Sequence, residues 1–134
     1  MTIPSHSRNL GVQRTATGGH ISVFSANADG IDLLIYAEPG SDHIAHRVSL
    51  NKGSENVWSA HSDALIPGAE YALQAWGPVG PQNSFSAEEL LLDPYATGLT
   101  HLGNHWRAVV TDDAFDWAGV TKPNIPLEKS VIYE

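Results

Sequence analysis

The sequence predicts an all-β fold of the antiparallel β-sandwich type, and three observations lead to that prediction. Short runs of β-forming residues recur at intervals of about 10–14 residues. Gly, Pro, Asn and Asp residues punctuate the gaps between these runs. One run, Ile44–Leu50, alternates its side chains with a period of two, which is typical of a strand with one buried face. Short strands separated by regular turn signals favour a sandwich.

The runs give the predicted strands in order: His20–Ser25, Ile31–Ala37, Ile44–Leu50, Val57–His61, Tyr71–Trp76 and Trp106–Val110. In the third strand, the predicted inner face consists of Ile44, His46, Val48 and Leu50. In the fifth, Tyr71, Leu73 and Ala75 form the apolar face, and Ala72, Gln74 and Trp76 form the other.

One short helix is predicted to begin at Ser86. The Ser86 hydroxyl and the Glu89 carboxylate have the spacing of a capping box. Pro94 disfavours the helical conformation at the residue before it, so the helix is expected to end near Asp93.

We therefore divide the chain into three regions. Residues 1–18 are polar and rich in Gly, Ser and Thr, and are predicted to be a flexible arm. Residues 19–111 form the sandwich module, and residues 112–134 form an extended connector. The last residues, Val131–Glu134, have the pattern of a buried strand without a following partner, which predicts the front module of a longer enzyme.

Composition excludes several classes of function. A 134-residue chain is one domain that buries about two-thirds of its unfolded surface. With 15 acidic and 7 basic residues, the net charge of −8 argues against nucleic acid or an anionic membrane as a partner. The sequence lacks cysteine, an apolar run of membrane-spanning length and the apolar centre of a signal peptide. A cytoplasmic location fits these features.

No catalytic, metal or cofactor site is predicted. The nucleophile-elbow, P-loop and dinucleotide-binding motifs are absent from the sequence. His43 and His46 could suggest a zinc site, but they are three residues apart, which in a strand places their rings on opposite faces. The two rings therefore could not bind the same ion. The carboxylates of Asp112, Asp113 and Asp116 are interpreted as solvated loop acids, with Phe115 and Trp117 anchoring the loop to apolar surface.

The tryptophans are the better candidates for contacts. Trp58 is open to three interpretations: core residue, domain-interface residue or glycan contact. Trp76 lies beside small and polar neighbours on a sheet face, where an indole can stack on a sugar ring or pack against another domain. For Trp76, the domain interface is the leading interpretation.

Six segments, in the same order, resemble the N-terminal modules of isoamylase-type debranching enzymes. They are Val23–Ala28, Val57–Trp58 with Leu65–Tyr71, Trp76–Pro78, Leu90–Ala96 (the L-L-L-D-P-Y-A motif), Asp112–Trp117 (D-D-x-F-D-W) and Val131–Glu134 (V-I-Y-E). The resemblance covers nearly the whole chain from about residue 11.

The resemblance implies an immunoglobulin-like sandwich of carbohydrate-binding module family 48. Such a module precedes a (β/α)8 barrel that hydrolyses α-1,6 branch points in glycogen or limit dextrin. It implies the barrel of the parent chain as partner, with α-glucan as a possible ligand. By the same resemblance, residues 112–134 comprise the connector and the start of that barrel, and no catalytic carboxylate lies in this chain. Trehalohydrolases acting on maltooligosyltrehalose and branching enzymes share the layout. The expected glucan or domain-interface contacts are Trp58, Trp76, Asp93, Pro94 and Tyr95.

Overall fold

The computed structural model describes residues 9–131 and residue 133. Within these residues the chain forms eleven strands and two short 3₁₀ turns, Ser54–Asn56 and Leu127–Lys129. The strands are β1 Gly11–Thr15, β2 Gly18–Phe24, β3 Gly30–Tyr36, β4 Ile44–Ser49, β5 Asn51–Lys52, β6 Val57–Ser62, β7 Glu70–Trp76, β8 Val79–Gly80, β9 Asn83–Ser84, β10 Gly98–Leu102 and β11 His105–Val109.

Two antiparallel sheets form the sandwich. Sheet A has the strand order β1-β2-β6-β5, and sheet B has the order β10-β11-β7-β3-β4. The strands β8 and β9 form a separate two-stranded ribbon. The predicted all-β sandwich is confirmed, and each of the six predicted strands corresponds to an observed one: β2, β3, β4, β6, β7 and β11.

The core lies between the two sheets and is built by alternate residues. Ile21 and Val23 of sheet A face Leu33 and Leu73 of sheet B, and all four are buried. The predicted apolar face of β7 is confirmed, because Tyr71, Leu73 and Ala75 belong to this core. The predicted inner face of β4 is only partly right: Ile44 and Val48 are half-buried and Leu50 is buried, but His46 is exposed. β4 is an edge strand of sheet B, so one of its sides has no neighbouring strand to cover it.

The helix predicted to begin at Ser86 is wrong. The backbone N–H of Glu89 donates to the carbonyl of Ser86 at 3.2 Å, which closes a single turn. Leu91 then exchanges two backbone hydrogen bonds with Leu73, at 2.9 and 2.8 Å. β11 pairs with β7 only through Glu70 and Tyr71, so the backbone of Leu73 needs another partner. This long-range pairing prevails over a short helix that is costly to nucleate.

Strand β1 lies within the segment predicted to be a flexible arm. Gly11–Thr15 pairs along its whole length with β2, so the arm prediction is wrong for these five residues. Most of its side chains are exposed, and a polar edge strand gives little periodic signal. The short strands β5, β8 and β9 and the strand β10 were likewise not predicted. The limits of the three regions stay a prediction.

Residues 112–131 follow a largely irregular, exposed path. The predicted anchoring of Phe115 and Trp117 on apolar surface is wrong: both are exposed, and their rings contact each other edge to face at 4.8 Å. In the predicted terminal strand, Ile132 and Glu134 lie outside the described residues, while Val131 and Tyr133 are exposed and non-strand. No helix in the described part of the chain has the length and apolarity to span a membrane.

Candidate functional site

Trp58 lies in the core. Its side chain is only 6% exposed, and its indole N–H donates to the carbonyl of Ser25 at 2.9 Å. Lys52, the partner of Trp58 on the neighbouring strand β5, places its ammonium 5.4 Å from the centroid of the indole ring. Of the three interpretations of Trp58, the structure therefore favours the core residue, because little of the indole is left for a sugar or a second domain.

Trp76 ends β7 on the outer face of sheet B. It is 39% exposed, so the indole is open on one side. Its other side lies against Gly30, the register partner of Trp76 on β3. A Cβ added at Gly30 would lie 2.1 Å from the indole Cζ2, so only glycine permits this position of the ring. Trp76 thus has the partly open, rigidly seated indole that a contact residue needs.

Asp93, Pro94 and Tyr95 form a turn that is stabilised by hydrogen bonds to the buried Asp93 carboxylate. The Asp93 carboxylate is almost fully buried and accepts hydrogen bonds from the Tyr71 hydroxyl and from the Tyr95 N–H, both at 2.9 Å. Asp93 is therefore a structural residue that binds a local backbone amide, as its sequence position suggests. Pro94 and Tyr95 lie on the surface, and Tyr95 is 53% exposed.

The buried pair of Tyr71 and Asp93 predicts an alkaline dependence of stability. Burial, and then the charge and hydrogen bond of Asp93, raise the pKa of the Tyr71 hydroxyl well above its usual value. The folded state keeps this proton where the unfolded chain loses it, so the tyrosine's contribution to stability is complete below about pH 10 and declines above it.

We expect the variant Tyr71→Phe to lose about 1–3 kcal/mol of unfolding free energy at pH 7, because the buried Asp93 loses a donor. Above about pH 10, the variant should lose stability less steeply than the parent, by up to about 1.4 kcal/mol per pH unit. Urea unfolding between pH 7 and pH 11 measures both quantities. Parallel pH profiles for the two proteins would contradict the assignment.

The predicted contacts do not form a single patch. Trp76 lies at one end of β7, whereas Asp93 and Tyr95 lie beside Tyr71, near the other end. Trp76 comes five residues after Tyr71 along the strand, a distance of about 17 Å. The structure thus brings Asp93, Pro94 and Tyr95 together and leaves Trp76 apart from them.

Sequence reasoning missed a buried cluster around Arg107 on the outer face of sheet B. The guanidinium donates to Glu70 at 3.1 Å, to Asp42, and to the carbonyl of Ser41 at 2.6 Å. It also lies 3.6 Å from the ring centroid of Tyr36. Burial acts to lower the pKa of Arg107, but its hydrogen bonds and neighbouring charges outweigh this and raise the pKa. Arg107 lies in a predicted strand and Glu70 directly precedes another. Their ion pair could not be predicted, because the sequence does not show how these two strands are aligned with each other.

Metal chemistry finds no support in the described residues, where no three His, Cys, Asp or Glu side chains are grouped closely enough to hold an ion. Asp112 instead accepts hydrogen bonds from Arg14 and from the N–H of Ala114, and Asp116 accepts one from the N–H of Ala118. The carboxylates of this loop thus accept hydrogen bonds from the loop backbone, from Arg14 and, at Asp113, from the Thr111 hydroxyl.

Residues 9–96 match the family model for carbohydrate-binding module 48, the isoamylase N-terminal domain. The chain belongs to this family. Its match includes the core Trp58, the seated indole of Trp76 and the turn of Asp93, Pro94 and Tyr95. The hairpin of β10 and β11 and the connector lie beyond the matched residues.

Curated relatives of this module are much longer proteins. The chain is 30% identical to a glycogen debranching enzyme from Erwinia tasmaniensis, over 92% of the chain and 22% of that protein. It is 26% identical to a glycogen operon protein GlgX homolog from Mycobacterium tuberculosis, over 98% of the chain and 22% of that protein. The chain therefore spans about a fifth of the length of these relatives.

Solved structures show the same fold. The PulA protein of Klebsiella pneumoniae superposes with a TM-score of 0.62 at 26% identity, over 77% of this chain and 9% of that one. A pullulanase from Bacillus acidopullulyticus superposes with a TM-score of 0.62 at 19% identity, over 77% of this chain and 12% of the enzyme.

Proposed function

We propose that this module is the N-terminal, non-catalytic part of a cytoplasmic glycogen debranching enzyme that hydrolyses α-1,6 branch linkages. One observation carries the proposal: nearly the whole chain matches glycogen debranching enzymes, and the match covers about a fifth of the length of each enzyme. In this role the module packs on a downstream (β/α)8 barrel and shapes the groove that receives a branch. Binding energy spent there would position the scissile bond.

The exposed apolar side chains of the C-terminal third support such packing. Large apolar residues that remain exposed are common after position 89 and sparse before it. Those in the later part are Leu90, Leu91, Leu92, Tyr95, Leu99, Trp106, Phe115, Trp117, Val120, Ile125, Leu127, Val131 and Tyr133. Exposed apolar area on this scale marks a surface that another protein surface covers. We place the barrel contact at Leu90–Leu92 and Tyr95, with Pro94 stiffening the turn between them.

The longer polypeptide that contains this module tests the proposal. We expect it to release linear chains from a branched limit dextrin. The double variant Leu90→Ser with Leu92→Ser should lower its kcat/KM by about tenfold, equivalent to 1.4 kcal/mol, because misplacing the groove costs transition-state positioning.

The matched control is Val79→Ser, which changes an exposed apolar residue outside this surface. This control should leave kcat/KM unchanged. Absence of α-1,6 cleavage by the longer polypeptide would refute the enzyme assignment. Equal losses in the control and the double variant would refute the contact surface alone.

An alternative is that the module binds α-glucan autonomously, and the open indole of Trp76 is the observation that favours it. Quenching of tryptophan fluorescence by maltoheptaose, abolished in Trp76→Ala, would support this alternative over a purely packing role.

A further inference from the structure

A small cleft lies on the outer face of sheet B, beside Leu90 and Leu92. Its volume is about 250 Å³. Its lining consists of Tyr36 from β3, Leu90, Leu92 and residues 104–107 of the β10–β11 hairpin. Pockets that hold metabolites usually measure about 300–1,000 Å³. This cleft is smaller, and its size suits a single side chain of a partner.

The Tyr36 hydroxyl is buried without a hydrogen-bond partner. Among the described residues, it is the only buried side-chain nitrogen or oxygen atom in this state. A polar group withdrawn from water without a new partner costs free energy, and native structures rarely keep one without a reason. The hydroxyl therefore marks a place where a group from outside these residues can bind.

The position of Tyr36 in the sheet shows that its hydroxyl end reaches the cleft. β7 lies between β3, which carries Tyr36, and Leu91, which pairs with Leu73 on the other side of β7. Two strand spacings, or about 10 Å, therefore separate the backbone of Tyr36 from that of Leu91. Because Tyr36 lines the same cleft as Leu90 and Leu92, its side chain must extend across β7. The hydroxyl is the far end of that side chain, so it points into the cleft.

The other walls contain the residue types that dominate protein interfaces. Trp, Tyr and Arg are enriched among the residues whose truncation costs most binding energy, and the cleft contains Trp106, Tyr36 and Arg107. Trp106 is 56% exposed, and its ring lies against His101 with 4.6 Å between the centroids. The guanidinium of Arg107 lies on the Tyr36 ring. These side chains are thus held in place before a partner binds, which lowers the entropic cost of binding.

The charges around the cleft favour an uncharged partner group. Arg107 carries the permanent charge of the lining, and Glu70 and Asp42 already balance that charge. A further charge brought into the cleft would lack a countercharge, and a buried unpaired charge is costly. An amide or a hydroxyl avoids this cost and can form a hydrogen bond with the Tyr36 hydroxyl.

The polypeptide that follows this module in its longer relatives is the partner that the structure favours. Leu90 and Leu92 belong both to the cleft and to the surface on which we place the barrel. The β11 strand, which carries Trp106 and Arg107, ends at Val109, directly before the connector. A partner attached through the connector has a high effective concentration, so even a small anchor site can be occupied.

We propose that this cleft is an anchor site for one uncharged side chain of the downstream barrel. Its amide or hydroxyl forms a hydrogen bond with the Tyr36 hydroxyl, and its stem packs against Leu92 and Trp106. The choice of the barrel as partner rests on the proposed function. Because a hydrogen bond is directional, the anchor fixes an orientation that the apolar contact at Leu90–Leu92 alone leaves free.

Hydrogen exchange of backbone amides, measured by mass spectrometry on the 134-residue chain and on the longer polypeptide, tests the proposal. Peptides that contain Leu91 report on the cleft, because the Leu91 N–H donates to Leu73 at 2.8 Å and Leu91 lies between two lining residues. We expect these peptides to exchange about tenfold more slowly in the longer polypeptide, where the barrel opposes local opening.

The variant Tyr36→Phe removes only the hydroxyl. In the 134-residue chain, we expect no loss of stability in urea, because the hydroxyl has no partner there. In the longer polypeptide, the same variant should speed exchange at Leu91 by about fivefold, because the anchor loses its hydrogen bond. Trp106→Ala should have a similar effect in the longer polypeptide, since it removes one wall of the cleft.

Tyr71→Phe is the matched control, because it removes a hydroxyl whose partner, Asp93, lies inside the module. It should destabilise the 134-residue chain and speed exchange by the same factor in both polypeptides. If Tyr36→Phe instead destabilises the short chain as much as Tyr71→Phe does, then the Tyr36 hydroxyl already has a partner and the proposal is overturned.

Three further results would overturn the anchor. These are equal exchange at Leu91 in the two polypeptides, unchanged protection in the longer Tyr36→Phe variant, and protection in the short chain that grows with its concentration. The last result would assign the cleft to a second copy of the chain. An open cleft together with α-1,6 cleavage would refute this inference alone, whereas a closed cleft without cleavage would refute only the enzyme assignment.

Discussion

The variant Trp58→Ala is expected to lower the unfolding free energy by about 3–5 kcal/mol, which is the range for truncating a buried Trp. The indole fills the core between the sheets, so its removal leaves a cavity as well as lost burial. Its N–H also ties the Ser25 carbonyl to β6, and that carbonyl would lose its donor. The total unfolding free energy of a small domain is about 5–15 kcal/mol, so this substitution would remove a large part of it.

Urea unfolding at 25 °C, followed by circular dichroism, measures this loss. Trp76→Ala is the matched control, because it removes the same side chain from a surface position. We expect it to cost far less than the core truncation. Trp58→Phe should fall between them, since it keeps most of the ring and loses the bond to Ser25. Equal losses for Trp58→Ala and Trp76→Ala would show that Trp58 is not a core residue.

Trp58 also shows which structural features sequence periodicity can predict and which it cannot. The run beginning at Val57 predicts a strand, because strand-forming residues and turn signals are local properties. Two adjacent apolar residues, Val57 and Trp58, leave open which of them faces inward. Only the pairing of Trp58 with Val23 on one side and Lys52 on the other decides this. Such pairing depends on residues far apart in sequence.

At Ser86, the local sequence signal for a helix is outweighed by backbone pairing with a residue that is distant in the sequence. A capping box at Ser86 and Glu89 predicts a helix, but the chain makes only a single turn there, because Leu91 pairs with Leu73. In contrast, the Asp93-Pro94 turn was predictable, because an Asp side chain bonds an amide two residues ahead whatever the rest of the fold does. Its second partner, Tyr71, is 22 residues away and was not predictable.

The variant Arg107→Ala should lose about 3–5 kcal/mol of unfolding free energy, because it leaves the buried Glu70 without its countercharge. Arg14→Ala is the matched control. Arg14 also forms an ion pair, with Asp112, but both side chains are about half exposed. Water and salt screen that pair, so we expect a loss of about 0–1 kcal/mol that shrinks further in high salt. Urea unfolding at low and high salt compares the two variants.

A double-mutant cycle separates the charge from the packing of Arg107. The loss in Arg107→Met should be partly recovered by adding Glu70→Gln, because an uncharged amide costs less to bury than an unpaired carboxylate. Arg107→Lys should remain destabilised, since a lysine keeps the charge but cannot lay a planar guanidinium on the Tyr36 ring while reaching Glu70 and Asp42. If Glu70→Gln instead adds its own full cost to that of Arg107→Met, then the pair is not coupled. The cluster would then stabilise sheet B through packing alone.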